Sequence, residues 1–146
     1  MVSNFSHTPF VLDGIEYGSV EGFYVSLLFL DSAKRLKLGR MYGLVVKRMG
    51  KKSRLKTMCD GNDWFDLGSD AHVGLIKLAI RAKLKAHPNI ARAFAATAPR
   101  PIVHETGYPD PPDAEFSAPV FSRILSEPRN ELTRSFAILP EGRAGP

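Results

Sequence analysis

Two kinds of residue in this chain have the types and placement to do chemistry. The first are carboxylates in unusual company. In VSNFSHTPFVLDGIEYGSVEGFY, residues 2–24, the pair Glu21-Gly22 stands between Val20 and Phe23, at the head of the apolar run FYVSLLFL. A carboxylate in apolar surroundings is costly unless something pairs with it. Glu21 is therefore either an acid in a first helical turn, where the macrodipole favours it, or a group that lines a site. Asp110 and Asp113 fall in the proline-rich stretch GYPDPPDAEFSAP, where aspartates also serve simply to form turns. The second kind is cationic. Ten Lys and Arg lie between Lys34 and Lys56, half of the chain's twenty, with no Asp or Glu among them. Such a block attracts phosphates, or it is a solvated helix face. Tyr42 is the one aromatic interleaved with it, which gives little sign of single-strand stacking.

Other chemistries find no support. There is no P-loop, GxGxxG, HExxH or GxSxG. His7, His72, His87 and His104 share no metal-ligand spacing, so no metal site is assigned. The single cysteine, Cys59, permits no internal disulfide and no cysteine cluster.

Turn chemistry and periodicity predict the elements that must position these residues. In PFVLDGIEY, apolar residues flank Asp13-Gly14, a dipeptide that accepts positive φ at both central turn positions, so a β-hairpin is expected. Ser19 is the N-cap of a helix beginning at Val20. Val20, Phe23, Tyr24, Leu27 and Leu28 follow the i, i+3, i+4, i+7, i+8 pattern, and Val25 and Phe29 widen the stripe into that of a mostly buried helix. Asp31-Ser32 caps a second helix over about 33–49, with Leu36, Met41, Leu44, Val45 and Met49 facing the core. The run from Gly50 to Gly68 reads as loop with some strand. Ser69 caps a third helix over 70–86, in which Ile76, Ile80 and Leu84 recur every four residues. Pro88 opens a short helix to 97, PRPIVHE is a short strand, and GYPDPPDAEFSAP is an irregular loop. VFSRILSE is a last helix that ends near Pro128, because proline does not fit a helix interior.

A length of 146 residues fits one domain with its own core. Hydrophobic content of 44% and charged content of 24% are ordinary for a globular chain. The start MVSNFSHTPF lacks a basic n-region and apolar h-region, so no signal peptide is expected. The longest apolar run is far short of the roughly 18 residues of a membrane span. The expectation is a soluble, cytoplasmic α+β protein: a mainly helical single domain over 1–134, with an N-terminal β-hairpin and short strands, and a disordered tail over 135–146.

The opening segment resembles the NADAR family, also called YbiA-like, whose pattern is roughly S-N-F-S-x-x-P-F, a hairpin, then S-V-E, H or G, and an aromatic pair. Ser3, Asn4, Phe5, Ser6, Pro9, Phe10, Ser19, Val20, Glu21, Phe23 and Tyr24 fit it. KRMGK resembles the family's Ala-Lys-x-x-Gly-Arg/Lys segment, AIRAKLKAHPNI its A-x-x-A-K-F-x-x-N-P helix end, TAPRPIVHE its T-G-x-x-x-L-V-E strand, and PVFSRILSEPRNEL its closing helix. The resemblance covers about 2–132. Three features depart from the pattern: Val25 and Leu28 replace the polar residues of a Q-x-x-K-F arrangement, no Trp-Gly follows Asp113, and Pro128 interrupts the closing helix.

The resemblance implies an N-glycosidase, or a binder, for ADP-ribose-like and ribose-phosphate compounds. The family includes enzymes acting on phosphorylated riboflavin intermediates and others that remove ADP-ribose from guanine in DNA. It implies Glu21 as central acid, Asp113 as the acid of the late loop, and Asn4 and Phe5 as shapers of the pocket. Tyr24 joins them as a substrate contact, with Lys47, Arg48, Lys51 and Lys83 on the phosphates. No cofactor is implied, and the partner is a nucleotide or ADP-ribose-like ligand, or ADP-ribosylated DNA. Two alternatives stay open: a non-catalytic ADP-ribose or nucleotide-binding module, and a nucleic-acid binder using the basic run.

Overall fold

The structure, a computed structural model, describes residues 3–51, 57–60, 63–103 and 117–138. Asp110, Asp113, most of the proline-rich stretch and the tail from 139 lie outside the described residues. The chain divides into two compact units, Met1–His87 and Pro88–Pro146. Among the described residues it is mainly helical, with six helices and two antiparallel hairpins.

The first unit opens with β1 (Phe10–Leu12) and β2 (Ile15–Tyr17), paired Phe10 to Tyr17, Val11 to Glu16 and Leu12 to Ile15. Asp13 and Gly14 have φ of 50° and 75°, the two positive values that the tight turn requires. Next come α1 (Val20–Ser26), α2 (Ser32–Gly39) and α3 (Gly43–Lys51). A second hairpin, β3 (Thr57–Asp60) and β4 (Asp63–Asp66), leads to α4 (Asp70–Ala86). The second unit holds α5 (Pro88–Ala95) packed on α6 (Ala118–Ile138).

Helix α1 is the hub of the first unit and packs against α2, α3 and α4. Val20, Gly22, Phe23, Val25 and Ser26 are buried, and Leu27 and Leu28 continue the buried path past its end. Removing each large apolar side chain from water contributes about 1.5–3 kcal/mol. Ser19 caps the helix as its type suggests: its Oγ accepts from Gly22 N at 2.9 Å and donates to Met41 O at 2.9 Å. Ser69 caps α4 in the same way, with Oγ accepting from His72 N.

Three local expectations fail. The single helix expected over 33–49 is two helices, broken at Arg40–Tyr42 and restarted at Gly43 with φ 77°. The break follows from a close approach. Gly18 N donates to Gly39 O at 2.8 Å, and a methyl on Gly22 would meet Met41 O at 2.5 Å and Gly39 O at 2.7 Å. The first segment thus takes carbonyls at the end of α2 that a continuing helix would use. The restart also shifts the helical phase. Val46 and Leu38 are buried with Val25, Met41 and Met49 are packed partly against them, and Leu36, Leu44 and Val45 are 48%, 63% and 59% exposed.

The strand expected in PRPIVHE is absent among its described residues, 99–103. The last helix, meanwhile, runs through Pro128. An interior proline costs about 3 kcal/mol, and tertiary burial offsets it. Pro128 is fully buried, and its neighbour Arg129 donates from Nη1 to Arg100 O at 2.6 Å and to Thr97 Oγ1 at 3.3 Å.

Candidate functional site

The first four described residues form a compact turn. Phe5 N donates to Ser3 Oγ, and Ser6 Oγ donates to Ser3 O at 2.9 Å. Three separate elements then hold this turn through its backbone carbonyls. Glu21 N, in the first turn of α1, donates to Asn4 O at 3.0 Å. Gly43 N, at the start of α3, donates to Phe5 O at 2.8 Å. Lys83 Nζ, from α4, donates to Ser3 O at 2.7 Å. Asn4, Phe5, Glu21 and Lys83 therefore converge, although 80 positions separate Ser3 from Lys83.

Lys83 is 1% exposed. Burial favours the neutral amine and lowers its pKa from 10.5 to about 8. With its Nζ bonded to Ser3 O, Lys83 ties α4 to the N-terminal turn from inside the protein. Its setting differs from that of Lys47, which is exposed on α3 with Nζ 5.0 Å from the centroid of the Phe5 ring. Arg48 is also exposed on α3. Lys51 ends that helix, and its side chain lies outside the described residues.

Glu21 is half-buried. Tyr24, one turn further along α1, stacks on His72 with ring centroids 5.5 Å apart and planes 23° apart. His72 is fully buried, and desolvation lowers its pKa from 6.5 to about 4. Its Nδ1 accepts from Gly68 N at 2.8 Å, so the neutral ring carries its proton on Nε2.

Residue-type reasoning passed over His72 and assigned Lys83 to phosphate. The sequence did contain a signal for both. His72, Ile76, Ala79, Ile80 and Lys83 fall on one helical stripe, so two polar residues sit in register with the apolar face.

Two clefts with fully described linings lie elsewhere on the first unit. One, of about 830 Å³, runs between the β1–β2 hairpin and α4; the other, of about 440 Å³, is bordered by Tyr17, Phe23, Leu27 and Leu36. Neither is lined by Glu21, Asn4 or Lys83. Among the described residues no group of three His, Cys, Asp or Glu could hold a metal ion, and no helix is long and apolar enough to cross a membrane.

No protein-family profile matches the chain, and no curated protein matches it. Among solved structures, the NMR structure of the E. coli protein YbiA superposes with a TM-score of 0.69 at 22% identity, over 97% of this chain and 83% of YbiA. The fold is YbiA-like. The mainly helical architecture with its N-terminal antiparallel hairpin matches that fold.

Proposed function

We propose that the chain is an N-glycosidase of the NADAR type, hydrolysing the bond between a base or amine and the ribose of an ADP-ribose-like or ribose-phosphate substrate. The observation that carries this reading is the convergence on the Ser3–Asn4 turn. Glu21 is anchored to it through its own amide and Lys83 through its buried amine, in a YbiA-like fold. Cleavage of a ribosyl C–N bond builds positive charge on the anomeric carbon. A carboxylate beside that carbon can stabilise the charge or deprotonate the attacking water. Glu21 takes this role, with Asp113 of the late loop supporting it. Asn4, Phe5 and Tyr24 shape the ligand site, and Lys47, Arg48 and Lys51 meet its phosphates. Lys83 positions the turn through its buried bond to Ser3 O rather than acting as a screened surface charge. Water is the only co-reactant, so no cofactor takes part, and the substrates are cytoplasmic nucleotides or ADP-ribosylated DNA.

One observation favours a second reading, a binding module without turnover. Val25 and Leu28 stand where the NADAR pattern carries polar residues, and they are 1% and 4% exposed in the core. A product assay separates the two readings. The purified chain is offered NAD, ADP-ribosyl-guanosine DNA and ribosylamine phosphates of the riboflavin pathway. Release of free ADP-ribose or ribose phosphate supports the glycosidase. Saturable ADP-ribose binding with no product from any of them supports the module.

A further inference from the structure

The basic run has one aromatic in the sequence, but the fold brings it others. Tyr42, 53% exposed at the α2–α3 turn, stacks on the exposed ring of His7, with centroids 4.4 Å apart and planes 26° apart. The bond from Gly43 N to Phe5 O holds the N-terminal segment against the start of α3, and Lys47 Nζ lies over the Phe5 ring beside it. Arg40, two residues before Tyr42, and Lys47 and Arg48 on α3 are exposed. No Asp or Glu occurs in the sequence between Ser32 and Lys51. Leu44 and Val45 are exposed on the same helix.

We infer that this face binds single-stranded nucleic acid, with a base extending the Tyr42–His7 stack and the strand's phosphates on Arg40, Lys47 and Arg48. An aromatic pair already stacked at the surface adds nothing to the core. It offers an ordered platform on which any base can stack, because every base has a π-face. Cations of one sign beside it gain from counterion release when they meet phosphates. A duplex keeps its base faces inside and cannot use the platform. The inference goes beyond the glycosidase reading: it shares Lys47 and Arg48 with that reading as phosphate contacts and uses neither Glu21 nor Lys83.

The test is fluorescence anisotropy with the full chain and a labelled, unmodified single strand of about twelve nucleotides. It is run over a series of salt concentrations, with the same sequence as a duplex for comparison. The single strand binds more tightly than the duplex, and its affinity falls as salt rises. Tyr42→Ala weakens binding about tenfold with the salt slope unchanged, and Tyr42→Phe, which keeps the ring, binds like wild type. Arg48→Gln lowers the salt slope by about one. Equal affinity for duplex and single strand, no binding of the single strand, or a Tyr42→Ala variant that binds as wild type does would overturn the inference. Glu21→Gln binds the strand unchanged whatever happens to hydrolysis, so the two readings fail separately.

Discussion

Lys83 and Lys47 both reach the N-terminal turn, one from inside the protein and one from solvent. Lys83 is buried and donates to Ser3 O; Lys47 is exposed and lies over the Phe5 ring. The residue type is the same and the chemistry differs. Burial gives Lys83 a pKa of about 8, because the charged amine loses its hydration inside the protein. Lys47 is solvated, so its charge acts at a distance and is screened by salt. The same contrast separates His72, buried against Tyr24, from His7, exposed against Tyr42. One region is an interior cluster of tuned polar groups, and the other is a basic surface with an aromatic stack.

The largest effects should come from the interior. The folded pKa of Lys83 lies below its unfolded value, so between about pH 8 and 10.5 the unfolded chain binds more protons, and stability rises with pH. Relative to Lys83→Met, the wild-type chain should gain on the order of 3 kcal/mol across that window, measured by urea unfolding at both ends. His72 behaves alike at lower pH. As pH falls from 6.5 to about 4, the unfolded chain takes up a proton that the buried ring refuses. Wild type should therefore lose on the order of 3 kcal/mol relative to His72→Asn, whose amide oxygen still accepts from Gly68 N. If either pair gave parallel stability profiles, the distinction between interior and surface would collapse.

A smaller effect tests what sets Glu21 in place. Gly22→Ala should cost about 2–3 kcal/mol by thermal unfolding, because its methyl group meets backbone oxygens rather than a side chain able to move aside. The smallest effect belongs to the surface. Lys47→Ala should change stability by less than about 1 kcal/mol.

Features written in adjacent residues were legible in the sequence. Asp13-Gly14 specifies its own turn, and Ser19 and Ser69 cap the helices that follow them, because a side-chain oxygen two or three residues from free amides needs no distant partner. The length of α4 followed from its cap and its period. Features that depend on distant groups were not legible. The break at Arg40–Tyr42 requires Gly18, Ser19 and Gly22 to come up against the end of α2, and nothing in the 33–49 pattern announces that approach. The burial of Pro128 is likewise tertiary. Within the candidate site, the apolar setting singled out Glu21 but left its role open, and the resemblance supplied a role for it and for Asn4 and Phe5. The tuned state of Lys83 was not legible, because a lysine among lysines reads as surface until its stripe partners Ile76, Ala79 and Ile80 are counted with it. The aromatic stack at Tyr42 was missed because His7 is far from it in sequence.

The central claim is that Glu21, fixed at the Ser3–Asn4 turn, drives hydrolysis of a ribosyl C–N bond. The most direct test measures kcat and ADP-ribose affinity for Glu21→Gln beside wild type, on whichever ADP-ribosyl or ribose-phosphate substrate the wild type turns over. The glutamine keeps the backbone bond to Asn4 O and the shape of the side chain but removes the charge. The account predicts a loss of about a hundredfold or more in kcat with affinity nearly unchanged. A variant that turns over at the wild-type rate would contradict it and leave Glu21 as a first-turn helix acid.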